Sequence, residues 1–241
     1  MARQTPAPTS PRFGRVQEYL KQIVYGGTDG IVTTFAIVAG FAGAQAEGVA
    51  EVGAIAVLLF GLANLFADGV SMGLGEFLSL RAQHDLYRAR RAEERRRSLK
   101  TPDHQRARVA EILRAKGLSH QDAADAAQIF TRHPQVMAEM ILAEETGLRD
   151  PDGESPARNG SFTFAAFITF GAVPLVPYIL FEATAATTQL SILATGVALV
   201  LLGLLRWHAT GERLWRSVGE TVLVGAVCAV VAFGVGWIVG G

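Results

Sequence analysis

The chain has 241 residues, 50% of them hydrophobic, and its 22 Lys and Arg are matched by 22 Asp and Glu. A neutral chain offers no bulk field for nucleic acid, and the single cysteine, Cys228, excludes an internal disulfide or a cysteine-ligated cluster. Charge and apolarity are segregated: residues 31–80 and 161–241 are long tracts rich in Gly, Ala, Val, Leu and Phe, whereas 81–160 hold most of the charge.

In chain order, MARQTPAPTSPR has no apolar core and reads as a short cytoplasmic tail, not as a cleavable signal. Phe13 to Val24 place Phe13, Val16, Leu20, Ile23 and Val24 at helical spacing. They form either an amphipathic helix on the inner membrane surface or an extension of the first span into water. A bilayer core of about 30 Å takes roughly 20 apolar residues in helical form, and five stretches qualify. The first is Ile31 to Ala46, extended back through GGTDG; the second, Val49 to Leu80, is longer than a membrane needs and projects into water. The third is Phe162 to Phe181, kinked by Pro174 and Pro177; the fourth and fifth are Leu190 to Leu205 and Val218 to Val239.

With a cytoplasmic N-terminus, every Lys and Arg falls in the tail, the 81–160 insert or the 206–216 loop, on one side of the membrane. The expectation is an all-α membrane protein with five transmembrane helices, its C-terminus outside. It divides into a tail and amphipathic helix (1–24), transmembrane helices one and two (25–80), a small helical cytoplasmic domain (81–160) and transmembrane helices three to five (161–241). Within the insert, Pro102 starts a helix, Gly117 ends it and Ser119 caps the next. Its large apolar residues are few, among them Leu86, Val109, Ile112, Leu113, Leu118, Ile129, Val136, Met140 and Ile141.

Three carboxylates sit where ions are costly: Asp29 at the start of the first span, and Asp68 and Glu76 within the second. Asn64, Asp68, Met72, Glu76 and Ser79 form a polar stripe on the second span. Oxygen donors with one thioether favour divalent transition metals over magnesium or calcium. Gly26 and Gly30, and Gly69 and Gly73, have the spacing that lets helices approach closely, which would bring carboxylates of different helices together. In the insert, Glu94, Glu139, Glu144 and Glu145 are candidates for a second metal site, with Glu139 and Met140 expected on one face with Glu144. Against that, RARRAEERRR (88–97) suits an anionic lipid surface. No nucleophile and base arrangement, phosphate loop or histidine ligand spacing is present, so no enzyme is expected.

The strings YGGTDGIVTTFAIVAGFAGA, GLANLFADGVSMGLGEFLSLRAQHD and FITFGAVPLVPYIL, in this order across nearly the whole chain, resemble the vacuolar iron transporter family of iron and manganese transporters. The resemblance implies homodimers of five-helix subunits, a path lined by the first two spans at the dimer interface, and export of Fe2+ or Mn2+ from the cytosol in exchange for protons. It places Asp29 of TDG and Met72 of GVSMG at path positions, with Asp68 and Glu76 in the same strings, and it calls for no permanent cofactor. The insert departs from the family's glutamate-rich pattern: Tyr87 and Arg97 stand where Glu is expected, leaving Glu94 on that helix, while Glu139, Met140, Glu144 and Glu145 keep the pattern. The membrane expected is a bacterial plasma membrane. A different class of function, a membrane-anchored metal sensor or scaffold without transport, remains the alternative.

Overall fold

The computed structural model describes residues 19–44, 50–151, 153–182 and 184–240. Half of the proposed amphipathic helix, residues 13–18, lies outside them. All regular structure among the described residues is helical: α1 (Leu20–Gly43), α2 (Ala50–Lys100), α3 (Pro102–Ala115), α4 (His120–Phe130), α5 (Pro134–Ile141), α6 (Pro156–Gly171), α7 (Val176–Leu180), α8 (Ala185–Thr210) and α9 (Leu214–Gly240). A π-helical turn, Leu142–Thr146, follows α5, and a 3-10 turn, Val173–Leu175, separates α6 from α7. The chain forms two compact units, one of residues 1–77 and 157–241 and one of residues 78–156.

Among the described residues, five helical stretches are long and apolar enough to cross a membrane: Leu20–Gly43, Ile55–Lys100, Pro156–Leu180, Ala185–Thr210 and Leu214–Gly240. Their outward residues are apolar as well. On α9, Val227, Val230, Ile238 and Val239 are more than half exposed. A helix apolar on all sides has no stable place in water and fits a hydrocarbon surround.

The first unit is built around two clusters. Phe35, Val38, Val57, Leu65, Phe167, Leu175 and Tyr178 form one, and Ile31, Ala198, Leu199 and Leu202 the other. Glycine sets how closely the helices meet. A Cβ on Gly30 would stand 2.4 Å from the Phe167 carbonyl oxygen, and one on Gly73 would stand 2.9 Å from Phe164 Cβ. The spaced glycines thus permit close approach as expected, but the element they approach is α6 in the third span, at its backbone for Gly26 and Gly30 and at the Ile168 and Phe164 side chains for Gly69 and Gly73.

Pro174 and Pro177 break the third span into α6, the 3-10 turn and α7. The carbonyl of Pro174 is recovered by Ser191 of α8, whose hydroxyl donates to it at 2.6 Å. A break in a helix inside a membrane is tolerated where a neighbouring helix satisfies the freed backbone group in this way. Thr184 caps α8 by accepting from the Thr187 amide, and Gly211 closes it in the left-handed region at φ +68°.

In the second unit, Pro102 stands at the first turn of α3, Gly117 follows that helix at φ +97°, and the Ser119 hydroxyl accepts from the Asp122 amide. The core is Val109, Leu113, Ala123, Ala127, Met137 and Ile141. The sequence pattern missed the two alanines and Met137. Leu86, Leu118, Ile129 and Val136, expected inside, are exposed. Small residues let α3, α4 and α5 pack tightly, so fewer large side chains are needed at the centre.

Candidate functional site

The polar stripe of α2 recurs every four residues from Asn64 through Asp68 and Met72 to Glu76. At 1.5 Å per residue that covers about 18 Å along the helix, more than half of a bilayer core. Asn64 Nδ2 donates to Asp68 Oδ2 at 2.7 Å, fixing that carboxylate to its own helix. Eight residues on, Glu76 Oε1 accepts from Gln22 Nε2 of α1 at 3.3 Å and lies 3.9 Å from the Lys21 ammonium. Asp29 of α1 is close enough to Asp68 for their charges to interact. The two pairings, Gln22 with Glu76 and Asp29 with Asp68, advance by seven residues on α1 while receding by eight on α2. That is the register of antiparallel helices two turns apart.

Asp29 also faces a cavity of about 790 Å³ that Lys21, Tyr25, Arg206 and Cys228 help to line. Its backbone oxygen, not its carboxylate, takes the Thr33 hydroxyl at 2.8 Å, so the side chain remains directed by its surroundings alone. Met72 is half-buried and packs at the rim of the core containing Phe167. Its thioether belongs to the same helix face as the carboxylates while its methylenes serve packing. The sequence pattern gave no sign of Gln22, a residue type that is ordinarily exposed but is 5% exposed here.

The candidates in the second unit are arranged differently. Glu94 is buried, and its oxygens are taken by Arg97 at 2.9 Å, Arg108 at 3.1 Å and Gln105 at 3.3 Å. Glu145 accepts from Arg108 Nε at 2.9 Å, Glu139 pairs with Arg91, and Glu144 pairs with Lys116 at 2.8 Å. Arg108 therefore bridges Glu94 and Glu145 and occupies the place, chemically, of a bound cation. Hydrogen bonding to Glu145 and the charge of Glu94 hold its guanidinium above even the ordinary arginine value. Glu139 and Glu144 are engaged by different bases, Arg91 and Lys116. A π-helical turn begins between them. Met140 packs beside the core of the unit. Among the described residues no three His, Cys, Asp or Glu side chains converge on one point in either unit.

A sequence model of the VIT family matches residues 20–237. The chain is 31% identical to a protein of Eucalyptus grandis named vacuolar iron transporter 1, over 218 residues, 90% of this chain and 85% of that protein. It is 31% identical over 217 residues to vacuolar iron transporter 1 of Arabidopsis thaliana, covering 90% of this chain and 84% of that protein. With the vacuolar iron transporter of Toxoplasma gondii it shares 33% over 228 residues, 91% of this chain and 74% of the relative. These relatives are plant and Toxoplasma proteins named for the vacuole, so they give the expected bacterial plasma membrane no support.

Proposed function

This chain belongs to the VIT family, and from that premise we propose that it carries Fe2+ or Mn2+ across a membrane, exporting the cation from the cytosol in exchange for protons. The observation that carries the reading is the ladder of donors on α1 and α2: Asp29 within charge range of Asp68, and Glu76 two turns away from Asp68, in stretches apolar enough to cross a membrane. Ionisable groups cost too much inside a bilayer to be kept there without a partner or an ion path.

In this reading Asp29 and Glu76 bind the cation as carboxylates and release it as they take up protons, because protonation removes the charge that holds the metal. Asp68, fixed by Asn64, adds negative charge next to Asp29. Met72 supplies one soft donor on the same face and biases the path toward transition metals. Among the described residues one chain offers such donors only in ones and twos, and a second copy of the chain, in a homodimer, completes the coordination. The N-terminus and the unit of residues 78–156 lie on the cytosolic side and the C-terminus on the other. The sensor or scaffold alternative is less well served, because Glu94, Glu139, Glu144 and Glu145 are already engaged by arginine and lysine.

The test is Fe2+ or Mn2+ flux into proteoliposomes under an imposed pH gradient, comparing the native chain with Asp29→Ala and Met72→Ala. Loss of flux in Asp29→Ala and altered metal preference in Met72→Ala are the expected results. Equal flux in all three sinks the assignment.

A further inference from the structure

We propose that Gln22 is a cation ligand that works with Glu76: its amide donates to the Glu76 carboxylate when no cation is held, and turns over to offer its oxygen when one arrives, displacing the Lys21 ammonium. The proposal rests on the transport reading above and names two residues of that site that neither the sequence motifs nor the relatives assign.

Gln22 is 5% exposed, and its two amide ends have different fates. Nε2 donates to Glu76 Oε1 at 3.3 Å, toward the long end of hydrogen-bond distances. Oε1 is fully buried and has no hydrogen-bond partner among the described residues. An ionised carboxylate only accepts, so the nitrogen must face it and the oxygen must point away. A buried acceptor left unpaired is destabilising, and it is the feature here that ordinary packing does not explain.

The unpaired oxygen also makes the amide free to move. The terminal torsion of a glutamine is broad and roughly two-fold. Among the described residues, turning it over breaks only the one long bond to Glu76, because none of them holds the other end. A cation on Glu76 reverses the preference of the amide, since a metal attracts the oxygen and repels the N–H. The outcome is a carboxylate and a carbonyl side by side, a hard oxygen pair suited to Mn2+, Fe2+ or Mg2+.

Lys21 fits the role of the ion that is displaced. Its ammonium lies 3.9 Å from Glu76 Oε1, while its side chain is 78% exposed and that of Glu76 only 19%. An exposed lysine at the limit of ion-pair distance is weakly held and leaves for water at little cost. A divalent ion brings twice its charge to the same oxygen, yet the lysine still competes. Lys21 thereby sets a threshold below which the site stays closed to cations.

The experiment is Mn2+ and Cd2+ binding to the full-length chain in nanodiscs, read for Mn2+ by the loss of its free-ion paramagnetic resonance signal and for Cd2+ by competition. Gln22→Leu should weaken Mn2+ by roughly tenfold or more while Cd2+, less dependent on hard oxygen, changes little. Gln22→Glu keeps the oxygen and should bind Mn2+ at least as tightly as the native chain. Lys21→Gln should bind Mn2+ more tightly, with a weaker dependence on salt. Unchanged Mn2+ affinity in Gln22→Leu, or an equal loss for both metals, overturns the proposal. If Gln22→Leu does not fold, weaker Mn2+ binding by Gln22→Glu overturns it instead. Native chain that moves and binds Mn2+ with Gln22 indifferent defeats this inference alone, whereas native chain with no saturable binding defeats the transport reading as well.

Discussion

Replacing Arg108 by Met tests whether the second unit is held together by its own cations. The guanidinium is 21% exposed; it bonds Glu94 Oε2 at 3.1 Å, Glu145 Oε1 at 2.9 Å and Gln105 Oε1 at 2.6 Å. Glu94 keeps Arg97 and Gln105 after the change, so the cost stays below that of a fully stranded buried charge, about 3 to 5 kcal/mol. Losing one charge-assisted bond at Glu94 costs about 1.5 to 3 kcal/mol and the unpaired Gln105 oxygen about 1 more. The exposed pair with Glu145 adds about 0.5. With the methionine stem restoring some packing, we expect about 3 kcal/mol, or roughly a 100-fold loss of protection against amide hydrogen exchange.

Exchange is measured by mass spectrometry on the full chain in detergent, comparing peptides from 105–145 with those of α8 and α9 as internal reference. The folded-state value of Arg108 is raised, so its contribution is complete below the ordinary arginine value and is lost only above it. The difference between native and Arg108→Met should therefore stay constant from about pH 7 to 11. A chelator should leave the native unit unchanged, because Arg91, Arg97, Arg108 and Lys116 already engage Glu94, Glu139, Glu144 and Glu145. A loss of protection below about threefold, or a collapse on chelation, refutes the argument.

Gly30→Ala places a Cβ 2.4 Å from the Phe167 carbonyl oxygen, a clash with backbone that repacking cannot absorb; a loss of about 1 to 3 kcal/mol is expected, read as a lowered midpoint in detergent thermal unfolding. Gly75→Ala, with nothing within 4 Å of the added carbon, is the control that should not fall. Cys228 shares the Asp29 cavity and is the single cysteine of the chain, so a charged thiol reagent should slow metal flux in the native protein and leave Cys228→Ala unaffected. Unaltered flux in the labelled native chain separates that cavity from the path.

Much of the first unit was legible because bilayer-spanning helices announce themselves by long apolar runs, and because Pro174 and Pro177 have only one geometric consequence. The positions of Asp29, Asp68 and Glu76 on α1 and α2 follow from helical periodicity. Their neighbours do not. Gln22 is an ordinary polar residue in a segment of mixed character, and its burial arises only from the register of two antiparallel helices. The second unit was less legible for a related reason: carboxylates at helical spacing look alike whether they face a metal or an arginine. Nothing in the local pattern assigns Arg108 of α3 to Glu94 and Glu145. The π-turn after Ile141 is equally silent in the sequence.

The glycine contacts bear on how such a protein could work. Gly30 sits against the backbone of α6, Gly73 of α2 against Phe164 of the same helix, and a Cβ on Gly236 of α9 would lie 2.0 Å from the Gly40 oxygen of α1. Where main chains touch with no side chains between them, there is no soft layer to shear. α1, α2, α6 and α9 are keyed together at fixed notches, and the donors on α1 and α2 ride on that frame. Sliding one helix along another would have to break several notches at once, on the microsecond to millisecond scale of collective motion, whereas a side chain turns in nanoseconds or less. Recognition of an arriving ion is thus separated in time from any slower step that passes it on.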